Sequence, residues 1–194
     1  MISSLPRIKK PKSYLELGKV EIEPIVERLG QLSDAAWAAE DRRKENKFEC
    51  FHHTQHIILR FPKQNRDPRN HYTNPGWYIW QDLLLPIMEQ LASQYDYENV
   101  VISKAMFARL KAGHKIDKHV DGADANLCTH KIHVPLITNP DAHFITNGET
   151  RHLEAANAYE VNNIAEHAAN NLGSEDRVHF IFEIFDAAAS VRNN

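Results

Sequence analysis

The fold is decided by residues 99–110 (NVVISKAMFARL), 114–120 (HKIDKHV), 129–138 (THKIHVPLIT), 142–146 (AHFIT), 158–163 (AYEVNN), 166–170 (EHAAN) and 176–185 (DRVHFIFEIF). These are short apolar-rich runs. Turn formers stand between them: Gly113, Asp121-Gly122, Asn139-Pro140-Asp141, Asn147-Gly148 and Asn171-Leu172-Gly173. Many short strands at regular spacing predict an all-β sandwich or barrel. Upstream, residues 24–44 carry Ile25, Val26, Leu29 and Leu32 at helical spacing, with Ser33-Asp34 placed to cap a second helix. Residues 47–61 read as extended, 63–75 as a polar loop, and 78–95 as a helix bent at Pro86. Residues 1–20 read as an irregular, solvated arm with the basic cluster Arg7, Lys9, Lys10 and Lys12. The expected class is α+β, mainly β. Residues 1–98 form an arm and helical/strand support, part of one unit with a β core at 99–188; a tail follows at 189–194.

Composition narrows the function. The chain has 194 residues, 23 Lys plus Arg against 26 Asp plus Glu, and a net charge of −3. That balance speaks against a dedicated nucleic-acid binder. No apolar run approaches the ~18–20 residues of a membrane helix. The start, MISSLPRIKKPKSY, is basic but lacks the apolar core of a secretory signal. With two cysteines, Cys50 and Cys128, free thiols and a cytoplasmic location are expected. Histidine stands out: there are 12, and eight fall between His114 and His179.

The densest chemistry is Gly113–Gly122 (GHKIDKHVDG). Residues two apart on a strand share a face, so His119 and Asp121 can reach one point. They would make two-thirds of the 2-His-1-carboxylate set that binds Fe(II) and leaves positions open. Spacing alone serves Asp117-Lys118-His119 equally well. A third ligand must come from elsewhere, and His167 is a candidate. Arg177 stands ten residues later, across a turn. Its planar, permanently charged fork suits a carboxylate. Lys131 and His133 share one face of their strand, with Ile132 and Val134 on the other. Val134, Leu136, Phe180 and Phe182 are expected to form an apolar shield. His52, His53 and His56, with Trp77, Tyr78 and Trp80, are weaker candidates for a substrate mouth, and core packing is the simpler expectation for them.

The ordered set FARLKAGHKIDKHVD, KIHVPLITNP, Gly148 and AYEVNNIAEHAANNLGSEDRVHFIFE resembles the aspartyl/asparaginyl β-hydroxylase family of Fe(II)/2-oxoglutarate oxygenases, over about residues 100–186. The resemblance implies a double-stranded β-helix, a jelly-roll or cupin-like core with N-terminal helices packed on it. It implies His119, Asp121 and His167 as metal ligands, and 2-oxoglutarate binding by Arg177 with His133 beside it. Lys131 stands where the family commonly has Arg, and would meet 2-oxoglutarate or an acidic substrate. Ala108 replaces a small polar residue that binds the co-substrate in some members. Arg109 and Asn170 are the candidate substrate contacts. The implied cofactors are Fe(II), 2-oxoglutarate and O2. The implied reaction hydroxylates an amino-acid side chain, free or in a peptide or protein, and releases succinate and CO2. No nucleic-acid or membrane partner is expected. Two other readings stand beside it: a jelly-roll Zn or Mn isomerase or hydrolase, and a metal-free binding domain with structural histidines.

Overall fold

The last strand shows how the sequence builds the fold. β11 (Arg177–Asp186) alternates without a break, so Arg177, His179, Ile181 and Glu183 face one way and Val178, Phe180, Phe182 and Ile184 the other. In this computed structural model, which describes residues 5–44, 48–122 and 124–189, β11 is the central strand of a seven-stranded antiparallel sheet. The other members are β1 (Tyr14–Lys19), β2 (Thr54–Pro62), β3 (His71–Thr73), β4 (Val100–Leu110), β6 (His130–Ile137) and β9 (Asn157–Val161), in the order β1-β9-β6-β11-β4-β2-β3. A second sheet has the order β5-β10-β7-β8, from β5 (His114–His119), β7 (Ala142–Thr146), β8 (Glu149–Arg151) and β10 (His167–Asn171). The two sheets enclose a cavity in the manner of a double-stranded β-helix.

Helices cover the outer face of the large sheet. They are α1 (Glu23–Gly30), α2 (Asp34–Asp41) and α3 (Gly76–Ala92); a short α4 (Asp124–Cys128) follows β5. Ser33 caps α2 by accepting from the Ala36 amide at 3.2 Å, as its sequence position predicts. α3 buries Trp77, Trp80, Leu84, Ile87, Met88 and Leu91 at helical spacing. They pack with Phe107, Val134, Phe180 and Phe182 into the main core. Val134, Leu136, Phe180 and Phe182 therefore stabilise the helix-to-sheet contact and do not shield the cavity, because strand parity turns them away from it. Trp77 and Trp80 are core residues; Tyr78 is exposed.

Two N-terminal expectations are corrected. Residues 14–19 are not irregular: β1 pairs with β9, with a bulge between Glu16 and Gly18, where Gly18 takes φ +96°. Residues 71–73 of the expected loop pair with Arg60–Pro62. Strands from before residue 98 thus stand at both edges of the large sheet. The tail expected at 189–194 lies, apart from Ala189, outside the described residues.

The inner face of the large sheet is built in rungs set by register. Arg177 aligns with Leu110 and Thr54, His179 with Ala108 and His56, Ile181 with Met106, Ile58 and His133, and Glu183 with Lys104 and Lys131.

Candidate metal centre

β5 and β10 pair antiparallel with His119 opposite His167. Register therefore brings together two histidines 48 positions apart in the chain. Asp121 follows β5, and its amide donates to the Asn163 carbonyl at 2.9 Å. Ligand atoms of His119, Asp121 and His167 all lie within 4.8 Å of one another. Asp117, the alternative on spacing, is exposed and ion-paired to Lys115 at 3.0 Å.

The donor set fits a divalent metal in detail. His119 Nδ1 lies 2.8 Å from the Asp117 carbonyl, and His167 Nδ1 lies 2.9 Å from the Ala165 carbonyl. A ring nitrogen beside a carbonyl carries the proton, so each Nε2 keeps its lone pair for the metal. Asp121 Oδ1 is 3.8 Å from His119 Nε2. Its other oxygen, Oδ2, accepts from Lys131 Nζ at 2.5 Å and from Asn163 Nδ2 at 3.2 Å. Burial raises the Asp121 pKa, but Lys131, His167 and Lys104 outweigh it and hold the carboxyl below the usual range. Burial, and then Lys131, lowers His167 to about 4, so its imidazole is neutral and ready to ligate.

The triad opens on a cavity of about 290 Å³ that also contains His133, Lys104, Lys131 and Arg177. Arg177 is buried, and among the described residues no carboxylate lies within ion-pair distance of it. Its guanidinium lies along the His179 ring, Nε 2.9 Å from Nε2 and Nη2 2.7 Å from Nδ1. Burial lowers Arg177 to about 10, which leaves it charged at neutral pH. His133 and His179 are held neutral by burial and by the neighbouring cations. His133 Nε2 is buried with no hydrogen-bond partner. A lone buried cation and an orphaned ring nitrogen in one cavity form a ready receptor for a carboxylate.

Two candidate roles are corrected. Arg109 is not in the cavity. It and Ala108 are adjacent on β4, so only one can face inward, and Ala108 does. Arg109 instead bonds Asp34 at 2.8 Å and lies over Trp37 at 4.6 Å. Asn170, three residues from His167, falls on the opposite face of β10 and accepts from the His143 amide at 3.1 Å. Lys131 is in the cavity, and its ammonium donates to Oδ2 of Asp121, the carboxylate of the metal cluster. Of the His52, His53 and His56 cluster, only His56 is on a strand; it lines the cavity, while His53 stacks on His114 at 3.8 Å.

Sequence reasoning missed other groups. Lys10, assigned to a solvated arm, reaches inward to Thr129 and Asn163. The Phe51 and His119 rings meet edge to face, with centroids 5.2 Å apart. Glu183 is fully buried between Lys104 and Thr129, and the inward parity of β11 was the signal for it.

A double-stranded β-helix with a His-Asp-His cluster at one end defines the class of 2-oxoglutarate-Fe(II) oxygenases. Residues 81–187 match the sequence profile described as Aspartyl/Asparaginyl beta-hydroxylase, and the chain belongs to that family. Among curated proteins no sequence match is found. The fold is similar to a 2OG-Fe(II) oxygenase-family oxidoreductase from Burkholderia pseudomallei, with TM-score 0.56 and 10% identity over 98% of this chain and 99% of that one. It is similar to a viral collagen prolyl hydroxylase from Paramecium Bursaria Chlorella virus-1, solved as a 2OG complex, with TM-score 0.55 and 12% identity over 89% and 96%. Among the described residues no helix is long and apolar enough to cross a membrane.

Proposed function

We propose that the protein hydroxylates an amino-acid side chain, using Fe(II), 2-oxoglutarate and O2 and releasing succinate and CO2. The observation that carries this reading is Arg177. It is a buried cation without a carboxylate partner, in the same cavity as the His119–Asp121–His167 cluster. A buried charge is tolerated when a ligand completes its pairing. A Zn or Mn isomerase or hydrolase leaves that guanidinium with no task.

Iron(II) with 2-oxoglutarate and O2 would supply the oxidising chemistry that inserts a hydroxyl into a C–H bond. The chain does the rest. Nε2 of His119 and His167 and Oδ1 of Asp121 would hold the metal. Arg177 would bind the remote carboxylate through its fork, and His133 would offer Nε2 to a carboxylate oxygen. Phe51, Phe61, Met106, Phe144 and Ile181 line the cavity and exclude water.

The test is anaerobic addition of Fe(II) and 2-oxoglutarate, followed by air. The expected results are a visible metal-to-ligand charge-transfer band and then succinate. Absence of both, with Zn or Mn bound in place of iron, would reject the reading.

A further inference from the structure

One wall of the cavity is polar, and neither the metal nor the co-substrate uses it. Lys104 stands six residues of strand from the Arg177 rung, about 20 Å at ~3.3 Å per residue. A small keto-diacid held by Arg177 does not extend to it. Lys104 is 3% exposed, lines the cavity, gives one hydrogen to Glu183 Oε1 at 2.7 Å, and sits 4.8 Å from the Phe61 ring. Four residues beyond Phe61 comes Asn65. It and Gln64 both take φ 53°, a left-handed conformation that is uncommon outside glycine. Two such residues in succession are a local cost, of the kind found where a side chain must be aimed. Here the cost turns Asn65 into the cavity, where its Oδ1 is buried with no partner.

Lys104 spends one hydrogen on Glu183 and keeps others for an acceptor in the cavity, while Asn65 Oδ1 lacks a donor. A ligand that satisfies both presents an anionic oxygen and an N–H donor side by side, as the zwitterionic head of an amino acid does. A cavity of about 290 Å³ is at the small end of ligand pockets, which suits small molecules.

We propose that Lys104 and Asn65 form a head-group subsite for a free amino acid: Lys104 takes the α-carboxylate, Asn65 Oδ1 takes the α-ammonium, and the side chain is turned toward His119, Asp121 and His167. This rests on the hydroxylase reading and names the substrate class for it.

The experiment uses the full chain loaded with Mn(II) and 2-oxoglutarate. Calorimetry measures binding of the L-amino acids, each as the free acid, as the α-carboxamide, and as the central residue of a blocked tripeptide. At least one free acid should bind. Its α-carboxamide and blocked peptide should bind at least tenfold more weakly. Lys104→Gln and Asn65→Ala should each weaken the free acid tenfold and leave 2-oxoglutarate affinity as it was. Equal binding of acid and α-carboxamide, preference for the blocked peptide, no binding by any free acid, or unchanged affinity in both variants would each overturn the subsite. If Lys104→Gln does not fold, Asn65→Ala, which breaks no ion pair, decides alone. Failure of the wild type to bind 2-oxoglutarate would instead sink the hydroxylase reading.

Discussion

Lys131 Nζ lies 2.5 Å from Asp121 Oδ2, and both side chains are nearly sealed from solvent. The contact fixes which carboxylate oxygen is left for a metal. It also balances the charge of the acid. Groups bonded to a metal ligand typically alter metal affinity ~10–100-fold when removed. Lys131→Met should therefore weaken Fe(II) or Co(II) binding by about that factor, read by competition with a metal indicator. At saturating metal its 2-oxoglutarate affinity should match the wild type. A raised 2-oxoglutarate requirement with unchanged metal affinity would assign Lys131 to the co-substrate.

Arg177 gives a pair of effects with opposite signs. In the ligand-free protein its guanidinium is buried and unpaired, so Arg177→Met should leave the melting temperature unchanged or higher. Loss of a buried charge pair with 2-oxoglutarate should cost about 3 kcal/mol, or roughly 100-fold in affinity. Arg177→Lys should recover part of that, since it restores the charge without the fork. Thermal melts with and without 2-oxoglutarate report both effects; destabilisation of the ligand-free form would mean that the guanidinium is a structural support.

Lys10 predicts a pH dependence. Its Nζ donates to the Thr129 carbonyl at 2.5 Å and to Asn163 Oδ1 at 2.8 Å. Burial lowers its pKa from 10.5 to about 8, and the attraction of Glu183 and Glu160 does not make up the difference. Between those values the unfolded chain holds a proton that the native state has lost, so this group's contribution to stability rises with pH. Urea unfolding at pH 7.5 and pH 10 should show the wild type gaining on Lys10→Met at the higher pH. A constant difference would place the ammonium in water.

Local periodicity made half of the site legible. The parity of Arg177, His179 and Glu183, and of Lys131 and His133, follows from a two-residue repeat, and the structure keeps it. The same repeat separates Arg109 from Ala108 and Asn170 from His167, so assigning both to the substrate contradicted strand geometry. What was not legible is long-range. Lys10 reaches Asn163 across 153 positions, and nothing near Lys10 signals it. β1 escaped notice because it is an edge strand: Leu15 is 51% exposed and a bulge breaks its alternation. Lys131 shares the His133 face of its strand, as the two-residue repeat predicts, but its partner Asp121 depends on the path of residues 120–122 after β5, which no pattern specifies.

The ten-residue offset between His167 and Arg177 depends on the turn at residues 172–176, and Gly173 is its tightest point. A Cβ there would lie 2.3 Å from Asn139 Oδ1 and 2.7 Å from Asn139 Cγ. Asn139 cannot retreat freely: its Nδ2 donates to Asn171 Oδ1 at 2.9 Å, and its Oδ1 accepts from the Asp141 amide at 3.1 Å. Asn171 in turn donates to the Glu175 carbonyl at 2.8 Å and to the Leu110 carbonyl at 3.2 Å, which ties the turn to β4. Overpacking of this kind costs about 1–3 kcal/mol, so Gly173→Ala should lower stability by that amount. The strain enters at the start of β11, so 2-oxoglutarate affinity should fall further than metal affinity. Asn139→Ala removes the clashing carboxamide, and the double variant should be more stable than the two single costs added together. Strict additivity in that cycle would show that Gly173 and Asn139 do not meet.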